Sequence, residues 1–171
     1  MNGMAQETTK KWHILQSPKG DAKKIAKFFE ENGAEETYVP MRKIGADGKK
    51  VPVSSNMILV KDSHSHIFDL LEKGDPTKFA FDTNGNPITL EDETVRSFIQ
   101  IAENGDKDCI FLDPRRDNVK HGDMVRVVDG KYAGISGEYL RVRSNRCVVV
   151  RLGSLCAVAT GFVKPEQTEK I

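Results

Sequence analysis

GDMVRVVDGKYAGISGEYLRV, residues 122–142, decides the architecture of the second half of the chain. Val125, Val127 and Val128, then Tyr139, Leu140 and Val142, are β-branched, aromatic or large residues that pack well on a pleated surface and read as two strands. Between them Asp129-Gly130 marks a turn. Gly134 lets the chain pass close to a neighbour or adopt positive φ, and Gly137 does the same at the entry to the next strand. Tyr132 is expected to lay its ring over the open end of the unit. Further Val-rich runs at 147–152 and 157–160 show no helical period, so four or five short strands fall within about fifty residues. They close most economically into a small all-β barrel, which removes exposed sheet edges.

Upstream the period changes. Trp12 to Gln16 reads as a strand entering a core, and Ala22, Ile25, Ala26 and Phe29 form the apolar face of a helix over 21–32, with Lys23, Lys24, Lys27, Glu30 and Glu31 opposite and Gly33 as its stop. Residues 37–40 make a second strand. Residues 41–55 carry Asp47-Gly48 between basic flanks, an exposed hairpin or loop with Arg42, Lys43, Lys49 and Lys50. A buried strand over 56–60 leads to a short helix capped by Asp62 or Ser63, bearing Ile67, Phe68, Leu70 and Leu71 and ending at Gly74. Phe79 opens another strand, turned back by Asn84-Gly85. Val95, Phe98, Ile99 and Ala102 then face one side of a third helix. This order predicts an α+β layer, a mixed or antiparallel sheet covered by helices. The expected organisation is a first domain over 10–104, a polar linker over 105–120 within which Cys109 to Leu112 can add one edge strand, and the β-domain over 121–169.

Hydrophobic residues make up 38% of the chain and charged residues 30%, as in globular proteins with compact cores. No segment approaches the ~20 apolar residues of a membrane span, and the first residues lack the apolar stretch of a secretion signal, so a cytoplasmic protein is expected. Cys109, Cys147 and Cys156 are odd in number and unpaired by spacing, which predicts buried free thiols rather than disulfides or a metal site. Residues 1–118 carry 17 basic and 20 acidic side chains, whereas residues 119–171 carry 9 and 5. That net +4 allows contact with nucleic acid but does not demand it. No nucleophile-base pair, phosphate loop or metal-ligand spacing stands out, so neither an enzyme nor a cofactor is expected.

Gly122-Asp-x-Val-x-Val-x-Asp-Gly-x-Tyr-Ala-Gly-x-x-Gly137 closely resembles the KOW motif of small SH3-like barrels, through Gly122, Asp123, Val125, Val127, Gly130, Tyr132, Gly134 and Gly137. Lys11-Trp-His-Ile-Leu-Gln16, the helix after it, Glu36-Thr-Tyr-Val-Pro40, the basic loop and Met57-Ile-Leu-Val60 resemble the N-terminal, or NGN, domain of the NusG family of transcription factors. The two resemblances together cover about residues 10–169. Within the family, Gly85-Asn-Pro-Ile88 is most similar to the specialised UpxY-type antiterminators of surface-polysaccharide operons. Two places depart from the family pattern. Val53-Ser-Ser-Asn-Met57 stands where an aromatic-rich stretch is usual, and Leu152-Gly153-Ser154 stands where hydrophobe-Gly-Arg is usual.

The resemblance implies a monomeric factor whose first domain grips the clamp helices of RNA polymerase through an apolar depression, suppressing pausing or termination. The residues expected there are Trp12, Tyr38, Val53, Met57, Phe79 and Phe81, with Arg42, Lys43, Lys49 and Lys50 beside them for upstream or non-template DNA. The loop Leu152, Gly153 and Ser154 is the expected meeting point of the barrel with a ribosomal protein or Rho, a partnership that the departure at Ser154 puts in question. Two alternatives remain open from the residues. One is a housekeeping factor coupling polymerase to Rho or the ribosome, and the other is a ribosome- or RNA-binding KOW protein using Arg141, Arg143, Arg146 and Arg151.

Overall fold

Four consecutive buried residues, Trp12 to Leu15, run through β1 (Lys11–Gln16), the signature of a strand covered on both faces. It lies at the centre of the first of two units into which the computed structural model of the chain divides, with the boundary between Asp92 and Glu93. The structure describes residues 9–44, 47–73 and 77–171. Gly74, the expected stop of the second helix, lies outside them.

In the first unit β1 pairs along its length with β5 (Met57–Asp62), in the register Trp12↔Lys61, Ile14↔Leu59 and Gln16↔Met57. β2 (Glu36–Tyr38) flanks β5, while β6 (Lys78–Phe79) and β7 (Thr89–Leu90) both pair with the other side of β1. Every pairing is antiparallel, which resolves the expected mixed or antiparallel sheet. α1 (Ala22–Glu31) and α2 (His64–Leu71) share one face of it, where Leu15, Ile25, Phe29, Ile58, Val60, Ile67 and Leu70 form a core. Each such side chain contributes roughly 1.5–3 kcal/mol on burial. The helix ends follow local chemistry. Ser63 caps α2 by accepting from the His66 amide at 3.2 Å. Its neighbour Asp62 accepts from the Ser63 amide, His66 Nδ1 and the Glu35 amide, tying the α1–β2 connection to the start of α2. β3 (Met41–Ile44) and β4 (Lys49–Pro52) form a two-stranded ribbon outside the main sheet.

The second unit opens with the body of α3 (Asp92–Asn104), followed by β8 (Ile110–Leu112), β9 (Asp123–Val127), β10 (Ser136–Val142), β11 (Asn145–Leu152), β12 (Cys156–Ala159) and β13 (Thr168–Lys170). The expected Val-rich strands form an antiparallel sheet in the order β13-β9-β10-β11-β12-β8. Its two end strands come from segments that the Val-rich pattern does not mark. β8 is the edge strand expected within the linker stretch, and the rest of that stretch is also fastened to the β-domain. Val119 packs against the cluster Leu112, Cys147, Val149, Ala157 and Ala159, and Glu138 bonds His121, the Gly122 amide and Arg151. α3 is held to the same unit. Ser97 Oγ accepts from the Ser136 amide, Glu93 accepts from Ser136 Oγ and Arg126, and Phe98 meets Phe111 edge to face.

The glycines of the opening stretch divide into two kinds. Gly130 and Gly134 take positive φ, +87° and +95°, whereas Gly137 has an ordinary backbone but lies so close to β11 that a Cβ would strike the Val149 carbonyl and Val148. Tyr132 is buried, and its hydroxyl has a task of its own. Its hydroxyl donates to Asp106 at 2.9 Å and accepts from the Gly161 amide at 3.0 Å, pinning the segment before β8 to the chain after β12. Burial pushes the Asp106 carboxyl up, but the hydrogen bonds from Lys131 and Tyr132 outweigh it and hold the group below its ordinary value. All three cysteines are free; Cys147 and Cys156 are buried and Cys109 is partly exposed. Among the described residues no helix is long and apolar enough to cross a membrane.

Candidate functional site

Strand parity sorts the residues of the first unit. Leu15, Ile58 and Val60 belong to the core under the helices, so their neighbours one residue away project from the opposite face. The register then places Trp12, Ile14, Tyr38, Met57, Leu59 and Leu90 together on that face. Three of the six residues expected at a partner-binding depression, Trp12, Tyr38 and Met57, thus share one face of β1, β2 and β5.

Their exposure differs. Trp12 and Met57 are 6% and 3% exposed, packed interior residues in this structure, whereas Tyr38 is half-buried. Trp12 Nε1 donates to Asp92 at 2.9 Å, and Lys61 Nζ pairs with the same carboxylate at 3.1 Å, forming a polar rim at one end of the face. At the other end the Tyr38 hydroxyl accepts from the Met41 amide at 3.3 Å, at the base of the β3–β4 ribbon.

The other three expected residues do not join this group. Phe79 sits across from Leu15 on the helix-covered face, stacked on His64 with ring centroids 4.6 Å apart. Phe81 is 56% exposed beyond the end of β6, bridged to Pro87. Val53 follows β4, partly buried, with its amide bonded to the Pro40 carbonyl at 2.8 Å. Ile14, Leu59 and Leu90 belong to the face and are missing from the sequence-based list. The period of two that links Ile14 to Trp12 and Leu59 to Met57 was sufficient to find the first two; Leu90 depends on a long-range pairing with Trp12 that no local pattern reveals.

The ribbon carries the expected basic residues, all exposed, with Lys43 directly opposite Lys50. Arg42 and Val51 form the next pair toward the base. In the second unit Leu152, Gly153 and Ser154 lie at the β11–β12 turn, but Leu152 is fully buried, leaving only Gly153 and Ser154 to a partner.

The family model described as "Transcription termination factor nusG" matches residues 10–99. No curated protein matches the chain. Ten chains among solved structures match it. One of them, described as "Domain interaction in Thermotoga maritima NusG", is 17% identical with a TM-score of 0.44, covering 95% of this chain and 98% of that one.

Proposed function

The chain belongs to the NusG family of transcription factors, and from this we propose that it binds the clamp helices of RNA polymerase and acts as an antitermination factor. The observation that carries the reading is the apolar sheet face that gathers Trp12, Tyr38, Met57 and Leu59 beside a basic ribbon. A helical partner needs a few central apolar anchors with a polar rim, which here is Lys61 and Asp92. Half-buried Tyr38 makes the contact, while Trp12 and Met57, 6% and 3% exposed, pack behind it and set its position. Preference for the clamped, elongating polymerase shifts it away from the paused state by the difference between the two affinities. Arg42, Lys43, Lys49 and Lys50 hold upstream or non-template DNA by its phosphates, positioning it without reading sequence.

The similarity of Gly85-Asn-Pro-Ile88 to the UpxY-type antiterminators favours a polysaccharide operon as the template served. Buried Leu152 and the serine at Ser154 weigh against the Rho or ribosomal-protein partnership of a housekeeping factor. The test is single-round transcription by purified polymerase through a terminator placed within the leader of the polysaccharide operon. The factor is expected to raise full-length product on that template and not on an unrelated one. Unchanged readthrough on both would overturn the antitermination reading, and increased termination in the presence of Rho would replace it with the housekeeping one.

A further inference from the structure

Among the described residues asparagine precedes glycine at three places, Asn32-Gly33, Asn84-Gly85 and Asn104-Gly105. Such a pair is prone to cyclise, because glycine has no side chain to keep its backbone nitrogen away from the asparagine side-chain carbonyl. Two of the three are held. Asn32 closes α1 with its Nδ2 donating to the Phe28 carbonyl at 2.8 Å. Asn104 is the last residue of α3, and Gly105 packs so closely on the Ile101 carbonyl and Cys109 that a Cβ there would strike both.

Asn84-Gly85 is built differently. Both residues are exposed in the turn between Phe81 and Pro87, and nothing lies within 4 Å of the position that a Gly85 Cβ would take. Among the described residues the Asn84 side-chain amide has no hydrogen-bond partner. Asp82 organises the turn. Its Oδ1 accepts from the Asn84 amide at 2.8 Å and from the Asn86 amide at 3.0 Å. Its carbonyl accepts from the Gly85 amide at 3.1 Å, and its own amide donates to the Asn86 carbonyl at 2.8 Å. Asn86 is equally exposed but precedes Pro87, which has no N–H to give up. At Asn84 a single exposed hydrogen bond therefore stands between the Gly85 nitrogen and its reaction.

We propose that Asn84 is a self-modifying site, where the side-chain amide is displaced by the Gly85 nitrogen at a rate that Asp82 sets by holding the turn closed. The Gly85 amide gives its proton to solvent base, and its nitrogen attacks Cγ of Asn84. The N–Cγ bond forms, the Cγ–Nδ2 bond breaks, and Nδ2 takes a proton from solvent and leaves as ammonia. Water then opens the cyclic imide. Addition at the main-chain carbonyl of residue 84 leaves isoaspartate, and addition at Cγ leaves aspartate. Either product sets a carboxylate beside that of Asp82, and like charges at such close range repel. Isoaspartate also lengthens the main chain by a methylene, which the short turn cannot absorb with its hydrogen bonds intact. A newly made chain thus carries a closed turn under the bridge of Phe81 to Pro87, and an aged chain carries an open, more acidic one. The inference goes beyond the polymerase-binding reading and does not depend on it.

The test is peptide mapping by mass spectrometry of the full chain incubated at pH 7.5 and 37 °C, with isoaspartate located by fragmentation. Product is expected at residue 84 ahead of residues 32 and 104, and faster as pH rises, because the attacking amide must lose its proton. Asp82→Ala removes the side-chain acceptor of two turn amides and should speed the reaction at Asn84 about fivefold, the effect of one net hydrogen bond on local opening. The rates at Asn32 and Asn104 should not move, which separates release of this turn from a general loosening of the fold. Asn84→Gln, which must close a larger and slower ring, should remove the product with an unchanged melting midpoint. Deamidation at Asn32 or Asn104 ahead of Asn84 would overturn the site. An Asp82→Ala rate equal to that of the wild type, or raised equally at all three positions, would overturn the control assigned to Asp82.

Discussion

The two basic hairpins of this chain are built alike and supported differently. β3–β4 opposes Lys43 to Lys50, and β10–β11 opposes Arg141 to Arg146. The first is a free-standing ribbon of two strands, whereas the second is the middle of a six-stranded sheet. An isolated two-stranded ribbon is marginally stable, so its lysines are carried on a support that can adapt to the shape of what it meets. The arginines stand on strands fixed from both sides. The same local charge pattern therefore sits on a two-stranded ribbon in one unit and within a six-stranded sheet in the other, a distinction made by tertiary pairing rather than by the hairpin sequences.

A glycine in each region puts that contrast to the test. Gly137→Val should cost about 3 kcal/mol or more, because the new side chain collides with backbone and side-chain atoms of β11 and the sheet must part to admit it. Gly48→Ala at the ribbon tip has open space around it and only the strain of φ +72° to bear, roughly 1 kcal/mol, felt locally. Thermal melting should thus register the first strongly and the second hardly at all. A comparable loss of melting temperature in both would mean that the ribbon is as integral to the fold as β10 is.

A smaller effect is expected from Tyr132→Phe, which keeps the buried ring but removes the hydroxyl shared by Asp106 and the Gly161 amide. Losing those bonds should cost about 1–3 kcal/mol, and amide hydrogen exchange should rise at Gly161 and around Asp106 before it rises in β10. Uniform loss of protection across the sheet would show that the hydroxyl anchors the whole unit rather than the segment before β8.

Most of this architecture was legible in the sequence where a residue's task was local. The Val-rich strands, the amphipathic period of α1 and α3, the Asn84-Gly85 turn and the positive φ of Gly130 and Gly134 all follow from short-range chemistry. What escaped was set by partners distant in sequence. Residues 109–112 are readable as an edge strand, but which strand they join is not, and Tyr132 looks like a ring filling space until Asp106 and Gly161 meet its hydroxyl. The candidate binding face shows the same limit. Period two on β1 and β5 groups Trp12 with Ile14 and Met57 with Leu59, but only the pairing of β1 with β6 reveals that Phe79 points the other way.

The units should also part in their response to acid. Burial holds His13 below its ordinary value of 6.5, against the opposing hydrogen bond to the Lys11 carbonyl; His64 beside it lowers it further and Asp62 opposes. Between 6.5 and that lower value the unfolded chain binds a proton that the folded chain does not. The first unit therefore loses stability as pH falls below 6.5, by at most about 1.4 kcal/mol for each pH unit. Asp106 and Glu138 in the second unit lie below their ordinary values of 3.8 and 4.5. Their stabilisation is complete above those values and is lost only as pH falls through the lower folded ones. Denaturant titration at pH 7.5 and 5.5, read by the single tryptophan Trp12, should show a lower midpoint at pH 5.5, and His13→Gln should reduce the difference. A pH-independent midpoint would contradict the buried neutral imidazole.

The central claim is that the sheet face bearing Tyr38 is the polymerase-binding surface, and the most direct test is the equilibrium affinity of purified RNA polymerase for the wild-type chain and for Tyr38→Ala. Tyr38 is half-buried, so its truncation should leave the fold intact, which the Trp12 unfolding midpoint verifies. Removal of an interface anchor costs about 2 kcal/mol or more, a loss of roughly thirtyfold in affinity. Such a loss with an unchanged unfolding midpoint is the predicted result. Wild-type affinity in a well-folded Tyr38→Ala variant would contradict the account and place the polymerase contact elsewhere on the chain.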